Sequence, residues 1–153
     1  MTEAVRHYSA PAQDMDNRPM LDAWREGRLL LPVCTGCGRS FFYPRPLCPH
    51  CWSAAPDWRQ ASGRGMIVSF SIVRRPNDPV FCEEAPIILG EIMLEEGVSM
   101  LARIVGGDAD CVRSGMTVEL LPLPDALRYS LPTFSFQAAT GEASGAATPT
   151  ETA

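Results

Sequence analysis

The sequence predicts a mainly β protein in three parts: a short N-terminal helix, a four-cysteine metal clip and a five-stranded barrel. Three observations carry this expectation. Two CxxC pairs, Cys34 with Cys37 and Cys48 with Cys51, stand ten residues apart. Beyond them the apolar residues recur with period two, in short runs bounded by glycine and proline. No segment carries helical periodicity over the length that a βαβ crossover needs, which removes a parallel α/β sheet from consideration.

Taken in order, residues 1–17 are polar and aperiodic and read as a disordered tail. Asp16 and Asn17 then offer caps, Pro19 suits a first helical turn, and Met20, Leu21 and Trp24 recur at helical spacing before Gly27. That pattern predicts a helix over 19–26 whose apolar face, Trp24 included, packs on its own domain or on a partner chain. "RLLLPV" leads as a strand into the cysteines, so that helix and clip together occupy 18–62.

The barrel is expected over 63–136. In "MIVSFSIVRR" Met66, Val68, Phe70 and Ile72 share one face, the signature of a half-buried strand. "IILGEIML" and "VSMLARIV" form a hairpin that turns at "EEG", with Val98, Met100, Ala102 and Ile104 inward against Ser99, Leu101 and Arg103. "MTVELL" is a fourth strand and "LRYSLPTFSF" a fifth. Five such strands, with a proline-rich loop after the first and a break between third and fourth, fit a small Greek-key barrel of the OB type; an SH3-like barrel fits the same pattern. Residues 137–153, small and polar throughout, read as a disordered C-terminal tail.

In the clip, each CxxC suits a tight knuckle with both sulfurs facing one tetrahedral ion, and Gly36 and Gly38 ease the first knuckle. Cys34, Cys37, Cys48 and Cys51 are therefore the expected ligands of one structural Zn2+. Four thiolates fill a tetrahedral zinc and leave no position for water or substrate, which excludes a catalytic zinc. Rubredoxin-type iron uses the same pairs and would mean electron transfer instead. Between the knuckles, Phe41, Phe42 and Tyr43 serve as the core of so small a module, as a partner surface, or as a base-stacking platform.

Charge and composition narrow the function. The chain has 153 residues, is 46% apolar and carries a net charge of −5, with 13 arginines and no lysine. That balance disfavours a nucleic-acid partner, whose capture depends on a positive surface. No apolar run reaches the roughly 18 residues of a membrane helix, and the N-terminus lacks the pattern of a secretory signal, so a cytoplasmic, reduced setting is expected. No nucleophile stands beside a base. The histidines are His7 in the tail and His50 in a knuckle; Cys82 adjoins Glu83 and Glu84, which would raise its pKa; Cys111 is also flanked by acid. The sequence offers no complete active site of its own.

The order of parts, "REGRLLLPVCTGCGRSFFYPRPLCPHC", "GRGMIVSFSIVRRP", "EAPIILGEIML" and "GMTVEL", resembles the rubredoxin-like zinc-ribbon plus OB-fold proteins that accompany acyl-CoA enzymes. The likeness spans about residues 20–136. It implies a non-catalytic accessory subunit of a thiolase-like enzyme (thiolase, acyltransferase or aldolase) or of a hydratase, with an acyl-CoA thioester as ligand. On that reading Arg74 and Arg75, at the end of the first barrel strand beside the long loop, are candidates for the CoA phosphates. Trp24, Phe41, Phe42 and Tyr43 are candidates for the partner interface. Two positions depart from the family pattern: Arg74 stands where a histidine is common before the Arg-Pro, and Thr133 replaces the usual basic residue of "LPxF".

Overall fold

The computed structural model describes residues 11–136, so most of the two expected tails, 1–10 and 137–153, lies outside the described residues. Residues 11–17 depart from the tail expected there. The Asp14 carboxylate accepts from the amides of Asp16 and Asn17 at 2.9 and 2.8 Å, and the Asn17 side chain is buried, donating to the Ala12 carbonyl at 2.9 Å.

This turn launches helix α1 (Arg18–Arg25), with Pro19 in its first turn, where the missing N–H costs nothing. Met20, Leu21, Ala23 and Trp24 are buried along one side. The helix stops at Gly27, whose φ of +74° lets the amides of Gly27 and Arg28 turn back onto the carbonyls of Trp24 and Ala23 at 2.9 Å each.

Strand β1 (Leu30–Val33) pairs antiparallel with β2 (Asp57–Gln60), and the cysteine clip fills the excursion between them. This ribbon is not a separate body. Leu29, Leu31 and Ala61 belong to the same buried cluster as Ile67, Ile92 and Phe134 of the barrel, and Phe42 packs against it.

The barrel comprises β3 (Arg64–Val73), β4 (Ile87–Leu94), β5 (Ser99–Val105), β6 (Thr117–Leu120) and β7 (Thr133–Ser135), closed in the order β3-β4-β5-β7-β6. β5 and β7 run parallel and every other pair is antiparallel, which is the OB arrangement. A short helix α2 (Pro79–Cys82), capped by Asp78 accepting from the Val80 amide at 2.9 Å, sits in the 74–86 loop. No helix among the described residues is long and apolar enough to cross a membrane.

Two expectations need correction. In β3 the buried residue is Ile67, opposite Ile92, whereas Met66 and Val68 are exposed. The register slips between Ile67 and Ser69, and this bulge resets the two-residue alternation. Phe70 then stands opposite Gly90, whose missing side chain leaves room for Ile104: a Cβ there would lie 2.4 Å from the Ile104 Cδ1. The expected fifth strand keeps only its second half. Its first two residues, Leu127 and Arg128, instead end a 3-10 turn over Asp125–Arg128 that buries Ala126 against Trp24.

Candidate metal centre and binding groove

The four Sγ atoms of Cys34, Cys37, Cys48 and Cys51 all lie within 4.8 Å of one another. Cys34 and Cys51 sulfurs are 3.4 Å apart, and Cys37 and Cys48 sulfurs 3.8 Å. Zn–S bonds of about 2.3 Å in a tetrahedron require sulfur separations of about 3.8 Å, so the donor set fits zinc. Each knuckle is built by its backbone. The Gly38 amide donates to the Cys34 carbonyl and the Trp52 amide to the Cys48 carbonyl, both at 2.9 Å. Amides of Gly36 and Cys37 point at the Cys34 sulfur (3.3 and 3.4 Å), and the His50 amide at the Cys48 sulfur (3.4 Å).

These donors favour thiolate. Cys34 is lowered below the ordinary thiol value, first by the Cys37 amide, and Cys51 is lowered to about 6 by the hydroxyl and amide of Ser53. Cys37 moves the other way, to about 11: the Arg39 amide pulls it down, but burial and the neighbouring cysteine sulfurs outweigh that pull. His50 contributes its backbone N–H, and its exposed side chain is not among the clustered donors.

A second feature lies where an OB barrel carries its ligands, on the outer face of its second and third strands between two loops. Here those strands are β4 and β5, and the loops are 74–86 and 121–132. Leu89 and Leu101 form the floor, Phe81 comes from one loop, Tyr129 and Leu131 from the other. Met20 of α1 and Phe42 and Tyr43 of the ribbon close a further side, leaving a groove of about 420 Å³. Its wall is stiffened by an edge-to-face contact of Phe42 with Tyr43, ring centres 5.3 Å apart, and by Asn17 donating to the Tyr43 hydroxyl at 3.1 Å.

Arg103 is the only charged residue lining the groove among the described residues. It is committed to Glu84: the pair is 2.5 Å apart, with side chains 17% and 5% exposed, and the guanidinium lies 4.9 Å above the Tyr129 ring. This contact pins the 74–86 loop to β5.

The remaining sequence candidates divide. Trp24 is buried, donating its indole N–H to the Tyr129 carbonyl at 2.8 Å, and Phe41 is buried beside Cys34 and Cys48. Neither has surface to offer a partner, because a chain this small uses its largest aromatics as core. Trp24 instead props the 121–132 wall of the groove. Phe42 and Tyr43 do line the groove. Arg74 and Arg75 are exposed at the end of β3, outside the groove lining, and Arg74 forms an ion pair with Asp110. Phe81, Leu89, Leu101 and Leu131 were not among the sequence candidates. Leu101, a large apolar residue on the polar side of β5, was the available signal.

Ribbon and barrel together define a class of protein: a zinc ribbon fused to an OB barrel, with a four-cysteine metal site and an apolar groove. Family models agree. Residues 21–57 match the ChsH2 rubredoxin-like zinc ribbon domain, and 58–121 match the ChsH2 C-terminal OB-fold domain. The chain belongs to this ChsH2-type family.

Relatives include a probable enoyl-CoA hydratase alpha subunit of Thermomonospora curvata, 32% identical over 124 residues. That match covers 81% of this chain but only 38% of the relative, so the chain spans well under half of that protein. A DUF35 domain-containing scaffold protein of Methanocaldococcus jannaschii is 34% identical over 67% of this chain and 76% of its own length. A solved structure described as the Ltp2-ChsH2(DUF35) aldolase is similar with a TM-score of 0.72 and 32% identity, over 82% of this chain and 98% of the matched one.

Proposed function

We propose that this protein is a non-catalytic accessory subunit that binds a thiolase-like or hydratase enzyme and helps bind or present an acyl-CoA substrate. The observation that carries the reading is the groove. The face with which OB barrels take ligands is here walled by apolar side chains, and its one cation is already paired. Such a surface suits apolar protein side chains; a single-stranded nucleic acid needs free cations along its track, which this face lacks. The relatives named as a hydratase subunit, a scaffold protein and part of an aldolase support the same direction.

On this reading Cys34, Cys37, Cys48 and Cys51 hold one structural zinc, which fixes the ribbon over 18–62 against the barrel over 63–136. The partner supplies the nucleophile and base. Arg74 and Arg75 are the proposed contacts for CoA phosphates. Their exposure leaves them accessible, and the Arg74 pair with Asp110, exposed on both sides, is weak enough for a phosphate to displace.

Co-expression with a thiolase-like or hydratase subunit from the same genome, followed by sizing and turnover assays, tests the reading. A stable complex with restored turnover is expected; no complex with any such subunit overturns it. Replacing Arg74 and Arg75 by alanine should weaken CoA-ester binding to the complex, and unchanged affinity would remove the phosphate assignment.

A further inference from the structure

The two knuckles of the ribbon differ at one equivalent position. Each ends with a residue just after its second cysteine whose amide donates to the carbonyl of the first cysteine, at 2.9 Å in both. Each of these residues has left-handed backbone. Gly38 has φ +73° and Trp52 has φ +63°. Glycine occupies that region without steric cost, whereas a side chain there brings its Cβ against the backbone. The second knuckle therefore carries tryptophan where its own geometry favours glycine.

Packing does not repay that strain. Trp52 is 75% exposed, belongs to none of the three buried apolar clusters, and lies outside the groove lining. Leu47, joined to Ala54 by an isolated antiparallel bridge in the same knuckle, is 41% exposed. An indole held out in water from a strained backbone is the kind of side chain that interface hot spots favour.

Charge indicates what it meets. Residues 28–60 carry four arginines against one aspartate, so that stretch stays positive even after a zinc tetrathiolate adds its two negative charges. Residues 61–136 carry six arginines against ten acids. The two stretches thus carry net charges of opposite sign.

We propose that Trp52 is an anchor for the enzyme partner: the second knuckle inserts the indole into an apolar pocket of that subunit, rimmed by carboxylates. The proposal rests on the accessory-subunit reading and adds a second contact to it, separate from the groove.

Full-length zinc-loaded protein and the enzyme subunit that binds the wild-type chain provide the test. Trp52→Gly should melt at or above the wild-type temperature, because glycine relieves the left-handed backbone, and should retain one zinc. Its Kd for the enzyme subunit should nevertheless rise at least ten-fold, with Trp52→Phe falling between. Wild-type binding should also weaken as sodium chloride rises from 50 to 500 mM. A Trp52→Gly affinity within two-fold of wild type overturns the anchor while the accessory reading stands. A lowered melting temperature or lost zinc in that variant assigns Trp52 to the fold and also overturns it. Salt-insensitive binding removes the carboxylate rim. Failure of the wild-type chain to bind any thiolase-like or hydratase subunit overturns both readings together.

Discussion

Leu101 sits at the centre of the outer face of β5 with 76% of its surface in water, and it lines the groove. Truncation to alanine removes three carbons, worth about 0.8 kcal/mol each when fully buried, or about 2.4 kcal/mol in all. In the free protein only about a quarter of that surface is covered. Leu101→Ala should therefore cost about 0.6 kcal/mol of folding stability, a melting shift of a few degrees. In the complex the remaining three quarters become buried, so binding should lose about 1.8 kcal/mol, roughly twenty-fold in Kd. Calorimetric titration of the enzyme subunit into wild-type and variant protein, with a melt of each alone, separates the two numbers. A binding change under two-fold would remove the groove from the interface. A stability loss of several kcal/mol would mean that Leu101 belongs to the core.

Two further predictions concern charge. Glu84 and Arg103 form a nearly buried pair, so Glu84→Ala leaves a buried guanidinium alone and should destabilise the fold by about 3 kcal/mol in urea titration; Glu84→Leu with Arg103→Met should recover most of that loss. Glu95 is held below its ordinary value of 4.5, first by the hydrogen bond from Arg64, which reaches it through two contacts of 2.9 Å. A lowered carboxylate pKa contributes stability above the unfolded value and loses it as pH falls through the folded one. Arg64→Gln should therefore lower stability modestly above about pH 4.5, where the lowered carboxylate contributes, and flatten the acid limb so that variant and wild-type curves converge as pH falls, measured by urea midpoints across that range.

The parts that were legible in the sequence are those set by local chemistry. Proline and glycine at the ends of α1 bracket the helix to within a residue, and the CxxC spacing brings four sulfurs together. The alternation in β5 gives its inward set correctly because no bulge interrupts it. In β3 the same rule failed at Met66 and Val68, on the near side of the bulge, since a bulge depends on how the closed barrel registers β3 against β4, which no local pattern encodes. The groove was illegible for a related reason. Its walls come from α1, the ribbon, three barrel strands and two loops, and only closure of the barrel brings Met20, Phe42, Leu101 and Leu131 together. For Trp24 and Phe41 the local pattern allows packing on the chain itself or on a partner, and only the tertiary neighbours decide for the core.

The way in which the ribbon meets the barrel makes zinc relevant to binding although no thiolate faces the groove. Cys34 and Cys48 are packed with Phe41, and the next two residues, Phe42 and Tyr43, form a groove wall. The metal thus holds the segment from which that wall projects. On the other side Leu29 and Leu31 are tied into the barrel core, which is anchored by Ile67, Ile92 and Phe134 and needs no metal ligand. Removing zinc should therefore melt the wall before the barrel. Stripping one zinc per chain with a strong chelator should abolish enzyme binding while far-ultraviolet circular dichroism retains most of its β signal, and re-adding zinc should restore binding. Cys48→Ser should do the same without chelator. Binding that survives complete metal loss would place the partner contacts on the barrel alone and separate the ribbon from the groove.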